Sequence, residues 1–288
     1  MRAPFRNALL GVFAAAMLTA LAGGALLLHS PAMPEAAEAG PAGGAPSADA
    51  ALPLPPEPPR LADSPEYEAC LALLRGDPEG ALARASEWEE KGGGDPARHC
   101  MALGLLALGE PERAAPRLER LAGTSQAGAP ARAAIYAQAA QAWMMAGDTA
   151  RAYAATTLAL SLNPNDTALL VDRAIAAGAM GRYGEALQDL DHAIATDASR
   201  TEAWVFRAAA LRHLDRAEDA MRDIQQALTL DPRHPEALLE RGILRQLKGD
   251  TRGAKEDWER TIALAPDSAA ADLAMQNLAL NEAGPRRR

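Results

Sequence analysis

The chain has 288 residues, 49% of them hydrophobic but only 4% aromatic, and carries a formal net charge of −9. Residues 1–60 are nearly charge-balanced and the last three residues are arginines. The body between them is therefore more acidic than the whole, which argues against nucleic acid as a partner.

Arg2 and Arg6 precede Ala8–Leu28, an uncharged run rich in Leu and Ala. A spanning helix needs about 20 apolar residues, whereas the core of a cleavable signal takes roughly 7–15. The length favours a retained anchor, while Ser30-Pro31-Ala32 fits a small-x-small cleavage site; both readings of residues 1–30 send the body out of the cytoplasm. With positive charges before the run and Glu35 and Glu38 after it, the positive-inside bias orients the body outward. The expectation is a body anchored in the inner membrane on its periplasmic side, or secreted if the signal is cleaved.

Residues 31–60 hold nine of the 21 prolines. Proline blocks helix and sheet alike, so this stretch reads as a disordered, extended linker, spanning up to roughly 90 Å at about 3.1 Å per residue. Residues 61–283 then change character. Four blocks of 34 residues run without a gap from Ala133 to Ser268, with Ala152, Ala186, Ala220 and Ala254 at one shared position. Pro164, Pro232 and Pro266 follow twelve residues later in three blocks, with Ala198 in the other. Such a period marks a stacked array. In the block at Thr201, Trp204, Ala208 and Leu211 form one helical face, Asp215 breaks the run, and Ala220, Ile224 and Ala227 form a second. Weaker copies start near Ala62 and Asp95, giving repeats near 62–94, 95–132, 133–166, 167–200, 201–234 and 235–268. A phase shift falls around Gly123–Ala129, a covering helix is expected at 269–281, and 284–288 is a basic tail.

In the Ala133 block, Tyr136, Ala140, Trp143, Ala152, Ala159 and Pro164 fill the signature pattern, and Gly242, Ala254, Trp258 and Pro266 do so in the last block. The chain thus resembles bacterial-type tetratricopeptide-repeat proteins. The resemblance implies an all-α, right-handed superhelical solenoid of about six helix–turn–helix repeats with a C-terminal capping helix.

Arg173, Arg207 and Arg241 stand at the seventh position of three successive blocks, and Asp189, Asp223 and Asp257 at the twenty-third. The Ala133 block lacks both, with Ala139 and Ala155. Presence and absence move together, so Arg–Asp pairs are expected to join the two helices, within or between repeats. Cys70 and Cys100 fall on the first helices of the two leading repeats, where a disulfide or two buried thiols are the open alternatives.

The resemblance also implies that first-helix positions two, five, six, nine, twelve and thirteen line a concave groove. Its expected partner-binding residues are Gln138, Gln141, Val171, Asp172, Ile175, Val205, Phe206, Leu239, Glu240 and Ile243. The Lys and Asn with which some family members hold a terminal carboxylate do not occur at these positions. The groove reads as apolar with interspersed acid, suited to an extended or helical segment with apolar anchors and a basic residue, or filled by a second copy or the terminal helix. Phe206→Asp is expected to abolish binding with the fold intact. The four tryptophans read as core. No histidine pair, Cys-x-x-Cys, phosphate loop or nucleophile elbow is present, so no catalytic set, metal site or cofactor is assigned. The functional expectation is a non-enzymatic protein–protein interaction scaffold in the cell envelope, with membrane contact through the N-terminal helix. The alternative is a membrane-anchored assembly or maturation factor for an envelope enzyme complex or secretion system.

Overall fold

The computed structural model describes residues 61–283, with side chains through Asn281. The expected anchor or signal (1–30), the linker (31–60, but for its boundary with Leu61) and the basic tail (284–288) lie outside the described residues. Among the described residues there are thirteen helices and no strand. They are α1 (Pro65–Leu73), α2 (Pro78–Glu90), α3 (Gly94–Ala107), α4 (Pro111–Thr124), α5 (Ala129–Met145), α6 (Thr149–Leu162) and α7 (Thr167–Ala179). After these come α8 (Tyr183–Thr196), α9 (Thr201–His213), α10 (Ala217–Leu230), α11 (Pro235–Leu247), α12 (Thr251–Leu264) and α13 (Ala269–Ala283). Twelve pair in sequence as six hairpins, and α13 packs on α12 and α11.

Local signals set the helix starts. Ser64, Asp77, Asp148, Asp166 and Asp250 accept bonds from backbone amides of the first turn, satisfying donors that have no partner within the helix. Proline opens α1, α2, α4, α5 and α11, where its missing amide costs nothing. The turn inside each of the last four hairpins needs a left-handed residue: Gly147, Gly181 and Gly249 supply it, and Asp215 adopts φ 60° in their place. The phase shift after the second repeat has a local cause. Helix α5 begins at Ala129, led in by Pro130, so it starts four residues ahead of the regular block boundary and runs to 17 residues.

Alanine and glycine let paired helices approach closely. Ala152, Ala186, Ala220 and Ala254 are all buried, and a Cβ added at Gly242 would lie 2.4 Å from Trp258 Nε1. Trp258 and Trp143 are buried core residues. Trp88 and Trp204 depart from the core expectation, being only partly buried. The Trp204 indole donates to the Ala198 carbonyl and lies under the Arg207 guanidinium, 4.8 Å from its carbon.

The first helices α7, α9, α11 and α13 touch in succession, as do α1 and α3, whereas successive second helices meet far less. An inner layer packed closer than the outer one curves the stack, which places the first helices on the concave side.

Candidate functional site

The repeated Arg–Asp positions form bidentate pairs inside each repeat. Arg173 donates to Asp189 at 2.8 and 2.6 Å, Arg207 to Asp223 at 2.7 and 2.8 Å, and Arg241 to Asp257 at 2.9 and 2.6 Å. Arg207 also reaches back to Asp191 of the preceding repeat at 2.8 Å, and Arg245 adds a second cation to Asp257 at 2.7 Å. The carboxylates of Asp189, Asp223 and Asp257 are buried, and the guanidinium protons of Arg173 and Arg207 are held more tightly than usual, chiefly by these hydrogen bonds. In the third repeat, buried Ala139 and Ala155 take the two positions. The pairs lie between the two helices of a hairpin and leave little for a ligand.

Cys70 and Cys100 form a disulfide that joins α1 to α3, with Cα atoms 6.3 Å apart. Beside it runs a chain of hydrogen bonds across three repeats. His99 Nδ1 and Tyr67 Oη are 2.5 Å apart, and His99 Nε2 and Gln138 Oε1 are 2.6 Å apart. Because the Gln oxygen only accepts, Nε2 carries the proton and Nδ1 accepts from the tyrosine. Burial lowers the His99 proton affinity, opposed by the bond to Gln138.

A hollow of about 580 Å³ opens on the concave side between α7, α9 and α11. Its apolar walls come from Val171 and Ile175 of α7, Val205 and Phe206 of α9, and Pro235 of α11. Gln141 of α5 closes one end, and Ala265, just past α12, lies at the other. Charge comes from Asp172, Arg200, Glu202, His234 and Glu236. Thus Gln141, Val171, Asp172, Ile175, Val205 and Phe206 come together as one site. Arg200 and His234 were not anticipated. They hold the N-cap positions of α9 and α11 without a side-chain cap bond, one position before each first helix, where sequence reasoning sees only a helix boundary.

Four expected groove residues are placed elsewhere. Gln138 is engaged by His99. Leu239 is fully buried in the cluster around Trp258, and Ile243 packs against that cluster. Glu240, also fully buried, accepts from Arg212 Nε at 2.5 Å and Nη2 at 3.2 Å. Glu240 turns toward the preceding repeat because Arg212 offers it a cation there, and a buried carboxylate without one would pay its full desolvation cost. Phe206 is also corrected in part. It borders the hollow but is only 2% exposed, so Phe206→Asp would bury a charge and break the core, and it cannot report on binding with the fold intact.

Asp172 is the chemically distinctive residue of the hollow. Burial raises its carboxyl to about 7, against the lowering influence of Arg200 and with a further push upward from Asp166. No hydrogen bond or ion pair joins Arg200 to Asp172 among the described residues. His234 Nδ1 stands 3.2 Å from Glu236 Oε2 without hydrogen-bond alignment. Among the described residues no group of three His, Cys, Asp or Glu side chains is placed to hold a metal ion. None of the described helices is long and apolar enough to cross a membrane.

Comparison with known proteins identifies the repeat. Residues 206–279 match the tetratricopeptide-repeat model. Over those residues the chain carries tetratricopeptide repeats. Its array is similar to that of MamA (residues 41 to the end) from Desulfovibrio magneticus RS-1, at 21% identity over 60% of this chain and 95% of that one, with a TM-score of 0.51. It is also similar to a chain of the APC/C Cut9–Hcn1 hetero-tetramer, at 16% identity and a TM-score of 0.56. That match covers 74% of this chain but only 42% of the other. At these identities the likeness concerns the fold of the tetratricopeptide array. No curated protein sequence matches the chain.

Proposed function

We propose that this tetratricopeptide-repeat protein is a non-enzymatic interaction scaffold that binds an extended or helical segment of another protein in the concave hollow between α7, α9 and α11. The observation that carries the reading is the hollow itself. It has apolar walls and a volume of about 580 Å³, and among the described residues Asp172 stands in it without an ion-pair partner. Concave apolar sites with a few placed polar groups are where ligands and peptides dock. The apolar run at 8–28 after Arg2 and Arg6 supports an exported body, tethered to the inner membrane or secreted.

Ala168 lines the hollow and is only partly buried, so Ala168→Trp should fill the space without displacing core atoms. The reading expects that variant to keep its helicity and melting temperature while losing the partner that the unmodified chain retains in its native host. Retention of the same partner by the occluded variant would refute it.

A further inference from the structure

We propose that Asp172 receives a lysine or arginine side chain of the bound segment. This rests on the reading of the hollow as the docking site and names the chemistry of its occupant.

The sixth position of the repeat holds a different residue in each of the four regular blocks: Gln138, Asp172, Phe206 and Glu240. Gln138 is taken by His99, Phe206 belongs to the core, and Glu240 is taken by Arg212. Asp172 is the remaining member. Arg212 stands at the twelfth position of the repeat before Glu240, and the residue at that position before Asp172 is Met144, which carries no charge. The same carboxylate position is thus completed by Arg212 in the last repeat and, among the described residues, has no ion-pair partner in the fourth.

The surroundings select a cation to complete it. Among the described residues, Asp166 and Arg200 act on Asp172 directly, Glu202 from the start of α9 and His234 and Glu236 from the start of α11 line the same hollow, and α5 contributes neutral Gln141 to it. Acids outnumber bases, so an incoming ammonium or guanidinium meets attraction. Val171, Ile175 and Val205 are buried side chains that line the same hollow as Asp172 and give it apolar walls against which aliphatic or aromatic neighbours of that cation would pack. The occupant is therefore a segment with a Lys or Arg flanked by apolar side chains.

Because burial raises the Asp172 carboxyl to about 7, a cation that pairs with it below that pH must hold the charged form and release the proton. Binding then strengthens as pH rises through 7, whereas a neutral amide or hydroxyl at the same place would show no such gain.

The test uses the full chain and two acetylated, amidated peptide libraries, with Lys or norleucine at the centre and Leu, Ile, Val or Phe around it. Binding is read by fluorescence anisotropy. With one carboxyl titrating near 7, Lys-library affinity should rise roughly thirtyfold from about pH 5.5 to about pH 8, and Asp172→Asn should flatten that rise. The norleucine library should bind more weakly at the higher pH and respond to neither change. Equal affinity of the two libraries with flat profiles, unchanged in Asp172→Asn, would overturn the proposal and leave the hollow as a docking site. Failure of both libraries to bind would overturn it together with the docking site. A carboxyl carbon resonance of Asp172 that titrates below about pH 5 in the free protein would overturn it without any peptide.

Discussion

Arg212 and Glu240 form a buried ion pair that joins the first helices of the fifth and sixth repeats, through bonds of 2.5 and 3.2 Å. The Glu240 side chain is fully enclosed and that of Arg212 is 9% exposed. Removing one partner of such a pair strands the other charge in the interior, at a cost of about 3–5 kcal/mol. Arg212→Met should therefore lower stability by about that amount in chemical denaturation. Arg212→Met combined with Glu240→Leu should recover most of the loss, because no unpaired charge then remains.

The pH dependence of stability should reverse between Asp172 and His213. Burial raises the Asp172 carboxyl from 3.8 to about 7. Below 3.8 it is protonated in both states and costs nothing; between 3.8 and 7 the unfolded chain ionises first and stability falls as pH rises; above 7 the cost is complete. Asp172→Asn should thus be more stable than the parent at about pH 8, with the gain fading toward pH 4. His213 stacks on Tyr183 with ring centroids 4.0 Å apart, and burial, aided by Arg212, lowers it from 6.5 to about 4. Its contribution makes stability rise with pH between 4 and 6.5. The two slopes oppose each other in the parent, so thermal melts of Asp172→Asn should expose a rise over that range.

Periodic features were legible in the sequence. The Arg173, Arg207 and Arg241 pairs could be inferred because their presence and absence move together with Asp189, Asp223 and Asp257. The groove was only half legible. A sixth-position side chain can face the hollow or turn back toward the preceding repeat, and the residue that decides between them is not periodic: Met144, Gly178 and Arg212 share one position. Glu240 and Asp172 look alike in sequence and differ because of that neighbour. Arg200 and His234 escaped notice because a position that caps a helix gives no sign of also bordering a cavity.

The turn at Asp215 offers a stabilising change. Its left-handed backbone, φ 60°, is adopted at the corresponding turns by Gly147, Gly181 and Gly249, and a side chain with a Cβ is strained there. Asp215 is exposed, so Asp215→Gly should remove that strain and raise stability by about 1 kcal/mol. Urea denaturation with an unchanged slope would read it out.

The Cys70–Cys100 disulfide closes a segment with a sequence separation of 30 across the two leading repeats, where the buried cluster is small. Loop-closure entropy for that length corresponds to about 3–4 kcal/mol. Replacing both cysteines by serine should raise amide exchange in α1, α2 and α3 while leaving α7 to α12 protected, since each repeat contacts only its neighbours.

The concave hollow is tested most directly by a photoreactive residue placed at Gln141, which borders it, and in a second variant at Gln188, which is exposed on a second helix. In the native host, the Gln141 probe should crosslink a discrete partner, and the Gln188 probe should not. Ala168→Trp should abolish the crosslink from Gln141 while the fold persists. Crosslinking of the same partner from Gln188 with equal yield, or from Gln141 despite the filled hollow, would contradict the account.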